Sequence, residues 1–471
     1  MSLPLIIQGG MGAAVSDWRL AHSVSKLGQL GVVSGTALAV VLARRLQLGD
    51  ADGHMRRALA QFPRHDVAER ILAEYFVPGG KPAATSFKPV AMPTAAPGQS
   101  LVDLTVAAAF VEVFLAKEGH SGVVGINLLE KIQLPTLPTL FGAMLAGVDY
   151  VLMGAGIPRT IPGILDRLAR IESVELSLDV EGAQPGETFS TTFDPSSYRT
   201  ADQQIIRPQF LAIVASATLA MTLARKSNGR VDGFVVEGET AGGHNAPPRG
   251  PMQLTAEGEP VYGVRDVPDL EKIRALGLPF WLAGSYGRPG KLDEARKLGA
   301  AGIQVGTAFA FCEESGIAAE LKKRAIELSR SGKARIFTDP LASPTGFPFK
   351  IAQMENTLSD ASTFGERSRV CDLGYLRHIY RKEDGSIGYR CPAEPEGDFT
   401  RKGGALSETE GRKCVCNGLL GTVDLGQVRE GTLEPALVTA GNDFETIAEF
   451  ARPGAESYTS AEVIATLLSS K

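Results

Sequence analysis

The sequence predicts an α/β fold, a (β/α)8 TIM barrel, on three observations. Eight short apolar runs lie between residues 4 and 306, several of them close on glycine or a small polar residue, and segments with helical apolar spacing lie between them. Buried parallel strands read as continuous apolar runs because both faces are covered. Strand then helix, repeated eight times, closes a barrel whose chemistry sits at the C-terminal strand ends.

The strands are expected at 4–8 (PLIIQ), 31–34 (GVVS), 122–127 (GVVGIN), 149–153 (DYVLM), 210–214 (FLAIV), 233–237 (GFVVE), 279–283 (PFWLA) and 302–306 (GIQVG). Apolar residues at helical spacing fill 137–147, 161–171, 216–227, 268–277 and 291–300. The longest apolar stretch, 209–226, carries small and polar residues and ends in charge, so it reads as a strand running into a helix rather than a membrane span. Two insertions interrupt the repeat. Before strand three, residues 45 to about 110 hold an expected helix at 66–76 and the Pro/Ala-rich 77–100, a loop wrapped over the barrel as lid or decoration. Before strand five, residues 173–207 alternate like a hairpin. From about 335 the pattern changes: 378–390 reads as a hairpin across Asp384-Gly385, and 442–454 and 458–470 read as helices, the second capped by Thr459 or Ser460. The expected division is a barrel over 1–350 and a C-terminal module over 351–471.

Composition narrows the function classes. Of 471 residues 44% are apolar and 21% charged, enough for a large core, and the net charge of −5 with no Lys/Arg cluster speaks against nucleic acid or an anionic membrane as partner. The N-terminus lacks the basic start and long apolar core of a signal peptide, which predicts a cytoplasmic protein. Five cysteines in a reducing compartment do not suggest a disulfide framework.

The strand ends carry the candidate chemistry. Glycine lets the backbone turn sharply and approach a ligand, and it recurs in 8-QGGMG-12, 154-GAGIP-158, 238-GETAGGH-244, 284-GSYGRPG-290 and 306-GTAF-309. Loops after barrel strands seven and eight often bind phosphate, which singles out Gly284, Ser285, Gly287, Gly306 and Thr307. His244 is the acid/base candidate, since imidazole titrates near neutral pH. Gly242 and Gly243 are expected to leave open space beside its ring, Pro247 and Pro248 to stiffen the loop after it, and a carboxylate from Glu237 or Glu239 to raise its pKa. Asn127 offers a side-chain amide suited to a heterocycle with carbonyl and NH edges, or else a helix cap.

Taken together, 5-LIIQGGMG-12, 125-GINLL-129, 146-AGVDYVLMGAGIP-158, 235-VVEGETAGGH-244, 282-LAGSYG-287 and 299-GAAGIQVGTAF-309 resemble the nitronate monooxygenase (2-nitropropane dioxygenase-like) family of FMN-dependent barrels, over residues 1 to about 350 apart from the insertions. The resemblance implies FMN as cofactor and places the family's base, which takes a nitroalkane α-proton, on His244. It places the flavin-contacting asparagine on Asn127 and the phosphate-binding positions on Gly284, Gly287, Gly306 and Thr307. The backbone of Gln8, Gly9, Gly10 and Met11 is implied to pass close to the isoalloxazine ring. Glu237, Gly243 and Ser285 complete the expected cofactor-binding set. The chain departs from the family in the carboxylate at Glu237, the long insertion before strand three and the tail.

The tail holds Cys371, Cys391, Cys414 and Cys416, four thiols in one loop-rich segment and enough for a tetrahedral zinc site or an iron–sulfur cluster. C-x-C and long gaps replace finger spacing, so free thiols or a redox pair at Cys414 and Cys416 remain alternatives.

Three functions are expected on this basis. The first is an FMN-dependent oxidoreductase that oxidises a small nitronate or related carbon acid with His244 as acid/base. The second is an NAD(P)H-dependent reductase of enoyl thioesters or quinones on the same barrel, and the third a non-catalytic metal- or sulfur-handling scaffold. The expected partners are a small-molecule substrate, NAD(P)H under the second reading, and a second copy of the chain.

Overall fold

The computed structural model describes residues 3–198 and 204–469. Its centre is a closed barrel of eight parallel strands: β1 (Ile6–Gln8), β2 (Gly31–Ser34), β3 (Val124–Leu129), β4 (Tyr150–Gly154), β5 (Gln209–Val214), β6 (Gly233–Glu237), β7 (Phe280–Ala283) and β8 (Gly302–Val305). Consecutive strands pair in parallel from β2 round to β8, and β8 pairs with β1 in the register Ile7↔Gln304. The ring closes where Ile7 bridges Leu30 and the Gln8 amide donates to Leu30 O at 2.9 Å. All eight expected strands are present.

The period of two sorts each strand's side chains between lumen and helix layer. Ile7, Val32, Tyr150, Leu152, Leu211, Val235 and Trp281 fill the lumen as a core of their own. Trp281 Nε1 donates to Pro4 O at 2.8 Å beneath it. Two residues further along each strand come Gly9, Ser34, Asn127, Gly154, Ile213, Glu237, Ala283 and Gln304. This second inward ring is the floor of the main cavity.

Helices cover the barrel: Trp18–Lys26, Leu38–Gln47, Gln99–Lys117, Thr136–Leu145, Ile161–Ala169, Ala217–Lys226, Leu270–Arg274 and Lys291–Lys297. Gln99–Lys117 lies where the sequence suggested only the end of a loop. It is long and apolar enough to cross a membrane, yet most of it is buried here against neighbouring helices, so it serves as a core helix. Its apolar residues run all round the helix, which leaves no helical stripe to read.

The first insertion folds as His54–Leu59, His65–Tyr75 and an irregular 76–98. That irregular stretch is tied to the tail rather than to the cavity: Phe87 N donates to Gln427 Oε1 at 2.7 Å and Gln427 Nε2 returns a bond to Phe87 O. In the second insertion Val174–Ser177 pairs antiparallel with Ser190–Phe193, while residues 199–203 of that stretch lie outside the described residues.

Beyond the barrel, Ile336–Asp339 and Phe349–Ala352 form an antiparallel pair that adds Gly243–His244 as a third short strand. His378–Arg381 and Ile387–Arg390 pair across a turn at Asp384-Gly385. Helix Ser460–Leu468 begins with a capping box, Thr459 and Glu462 each bonding the other's backbone amide. Tail residues Leu420, Leu437, Val438, Phe444, Ile447 and Tyr458 belong to the same continuous core as the barrel's outer face.

Candidate active site

The floor of the main cavity is polar at three points where the protein supplies no partner. Asn127 projects from β3 with its carboxamide unbonded, and Gly10 backs it so closely that a Cβ there would overlap the Asn127 Cβ. Gln304 projects from β8 with its Oε1 buried and unpaired. Glu237 ends β6 with no hydrogen bond to its carboxyl, and burial pushes that carboxyl up to about 7. Buried polar groups are ordinarily satisfied, so three open ones at one floor describe a place for a polar, planar partner. The cavity, about 210 Å³, exceeds the room one water needs by an order of magnitude.

The rim is built by the loops after β7 and β8. Gly284 and Ser285 take left-handed backbone (φ +90° and +55°), which folds the chain back over the strand end. Gly284, Ser285, Gly287, Gly306 and Thr307 all border the cavity, as do Gly9, Gly10, Met11 and Gly243. The tail is seated on this rim. Asp443 Oδ2 accepts from Gly287 N at 3.1 Å, Arg288 Nε reaches Asp443 Oδ1 at 3.4 Å, and Thr307 Oγ1 accepts from Gly441 N at 2.9 Å. Asn442 N donates to Thr240 O, and Thr439 Oγ1 accepts from Gly243 N at 3.0 Å. A carboxylate therefore already holds one of the amides expected to face a phosphate.

His244 sits on the opposite wall, in the short strand that pairs it with Phe349. Its ring lies 4.7 Å from that of Phe349, and its Nε2 is 2.6 Å from Ser343 Oγ, which in turn is 2.9 Å from Thr345 Oγ1. Nδ1 has no partner in the protein. Burial against apolar rings pushes the imidazole down to about 4, so it is neutral at pH 7. This reverses the expected direction. No carboxylate bonds His244; Glu237 lines the floor, and Glu239 turns into a second cavity behind it. The two glycines before the ring also divide their work. A Cβ on Gly242 would lie 2.7 Å from the Ala440 carbonyl carbon, so that space belongs to the tail, whereas Gly243 supplies a left-handed turn (φ +83°) facing open space.

Residues 166–339, which span β5 to β8 with Glu237, His244 and the rim glycines, match the family model for nitronate monooxygenase. Over that stretch the chain is similar to the nitronate monooxygenase family. Among solved structures it is similar to FabK from Thermotoga maritima (15% identity, 99% of this chain and 91% of that one, TM-score 0.48). It is also similar to nitroalkane oxidase from Streptomyces ansochromogenes (15%, 98% and 94%, TM-score 0.45). A third is the enoyl reductase domain of MlnA from Bacillus amyloliquefaciens (10%, 98% and 91%, TM-score 0.47). A search of the curated proteins found no match. The barrel architecture rests on the strand order itself.

Two expectations are corrected by geometry. Gln8 does not border the cavity. Ile7 faces the lumen, so Gln8 faces outward, where its Nε2 donates to Ser16 Oγ at 3.0 Å and its Oε1 accepts from Val32 N at 3.0 Å. Gln8 therefore stitches β1 to β2, and only Gly9, Gly10 and Met11 of that motif reach the cavity.

The cysteines do not assemble as a metal centre: among the described residues no three His, Cys, Asp or Glu side chains form a set able to hold an ion. Cys391 donates its S–H to Cys371, a bond that lowers the Cys371 thiol and, with burial, lifts that of Cys391 well above its ordinary value. Cys414 opens helix Val415–Thr422 and its sulfur accepts from Asn417 Nδ2, while Cys416 lines the main cavity. Burial raises both of these thiols above their ordinary value.

Three site residues escaped the sequence reading. Gln304 was legible in principle, as the inward residue of 302-GIQVG-306. Ser343 and Asp443 were not, being 99 and 156 residues from the groups they bond.

Proposed function

We propose that the chain is an FMN-dependent oxidoreductase acting on a small nitronate or related carbon acid, with His244 as the group that moves the proton. The observation that carries this reading is the cavity floor, where the unpaired Asn127 carboxamide, Gln304 Oε1 and Glu237 carboxyl stand beneath a glycine-built rim. Acceptors and donors spaced over one floor fit the edge of a flavin ring, and Gly9, Gly10 and Met11 give it a flat backbone flank. Bound there, FMN would supply a two-electron acceptor beside the substrate carbon.

The protein's own part is positioning and proton transfer. His244, neutral at physiological pH, accepts a proton at Nδ1 if Nε2–H donates to Ser343 Oγ, and that hydrogen bond fixes both tautomer and ring plane. Phe349, Leu376 and Leu419 close the cavity above with apolar surface, which strengthens each polar contact inside. The described residues lining the cavity include no lysine or arginine, which favours a compact substrate over recognition of a nicotinamide dinucleotide by charge.

The test is spectroscopic and kinetic. Protein purified with FMN should show a flavin double band, bleach anaerobically with a nitroalkane or its nitronate, and lose turnover but not flavin in His244→Ala. Anaerobic bleaching by NADH instead would assign the reductase reading. An unaffected His244→Ala alongside a failed Cys414→Ser would assign the scaffold.

A further inference from the structure

Glu237 forms part of the wall between two cavities. Two residues past Val235 it points into the barrel, where it borders the main cavity, and the residue also borders a second cavity of about 170 Å³ on the side of the loop after His244. Neither carboxyl oxygen is held by a protein donor. Across the second cavity Asn245, 2% exposed, keeps its Oδ1 buried and unpaired while its Nδ2 donates to Ala241 O at 3.1 Å. A space of that size, part of whose lining is polar, admits several waters, and Asn245 Oδ1 offers one of them an acceptor.

We propose that Glu237 is a proton-transfer residue that exchanges protons between the main cavity and water in the second cavity. The proposal deepens the function given above and rests on it only for the proton's source. The step moves one proton and no electrons. The proton leaves the substrate carbon or His244, its electron pair stays behind, the Glu237 carboxylate takes it, and water in the second cavity carries it off to restore the carboxylate. Burial, which holds the carboxyl near neutral, populates both forms at working pH, as a transfer group requires. The titratable groups facing these spaces are His244, Tyr286, Tyr375, Cys416 and Asp443 on the main side. Glu239, Arg249, Tyr262 and Asp266 face the other. None pairs with Glu237, whose shift comes from burial alone. His244 is less able to exchange with solvent, since Ser343 holds its Nε2 and aromatic rings flank it.

The experiment has two arms. Carboxyl-labelled glutamate followed by carbon NMR, in protein with and without FMN, should show one glutamate titrating near neutral pH that is missing from Glu237→Gln. Absence of that titration in the wild type, or its survival in Glu237→Gln, overturns the assignment. For the second cavity, Ala246→Phe fills its wall without touching the main cavity. With nitroethane as probe, its deprotonation should slow several-fold and recover with added imidazole, while the wild type ignores the buffer. Equal rates for Ala246→Phe and wild type without imidazole overturn the route. A protein that neither binds FMN nor acts on nitroethane would sink the proposed function, and the NMR arm would still decide for or against Glu237.

Discussion

Glu237 and His244 carry opposite burial penalties in one cavity, so folding stability between pH 4 and 8 should contain two slopes that largely cancel. The Glu237 carboxyl rises from 4.5 to about 7 on folding. Its contribution is fully present below pH 4.5 and is lost as pH rises through 7, because the native state must then hold a buried charge. The His244 imidazole falls from 6.5 to about 4. Its contribution is present above pH 6.5 and is lost as pH falls through 4. Each pKa moves by about 2.5, and at about 1.36 kcal/mol apiece each contribution comes to roughly 3 kcal/mol.

Replacing one partner uncovers the other. Relative to wild type, Glu237→Gln should gain stability progressively from pH 4.5 to 7, up to roughly 3 kcal/mol, and His244→Asn should gain it progressively from pH 6.5 to 4. Any packing change adds a constant offset and leaves these slopes alone. For 471 residues the unfolding entropy is about 1 kcal/mol/K, so the expected amplitude is about 3 °C in Tm. Scanning calorimetry of flavin-free protein across this range reads it directly. Difference curves that stay flat with pH would refute the claim that burial shifts these two groups in opposite directions.

Three further outcomes are expected. Asp443→Asn keeps an acceptor for Gly287 N and removes the charge from the rim, so FMN should bind about tenfold tighter, with the gain fading at high salt; flavin fluorescence titrations at two ionic strengths check it. Ser343→Ala leaves His244 Nε2 without its partner and should lower kcat by about tenfold while flavin affinity holds, measurable with nitroethane and by equilibrium FMN binding. Gln8→Ala strands the Val32 amide and should destabilise the protein by about 1–3 kcal/mol in urea unfolding with no change in flavin affinity.

The barrel was legible because its strands are buried on both faces and its turns need glycine, two constraints that act within a few residues. Helix Gln99–Lys117 was not, since burial all round removes the amphipathic period. The polar floor was half legible. Asn127 and Glu237 announce themselves as polar residues closing apolar runs, and the same alternation that points Glu237 inward points the Gln8 side chain outward. Ser343 and Asp443 reach the site through long-range folding, which leaves no local mark. The cysteines misled for the complementary reason: closeness in sequence is a poor guide to which thiols meet, and here it is Cys371 and Cys391 that do.

The seating of residues 439–443 on the strand ends sets an order for biosynthesis. β8 ends at Val305, while Gly441 and Asp443, which complete the rim, lie more than 130 residues further along the chain. At about 5–20 residues per second, the ribosome leaves an interval on the order of ten seconds in which a barrel has all its strands but an unfinished mouth. Throughout it the Gly287 amide and the Thr307 hydroxyl face outward without Asp443 and Gly441, and a dissolved anion meets no competing carboxylate. Under the proposed function, capture of a phosphorylated cofactor would be easiest on the nascent chain, with the arriving tail closing the rim over it.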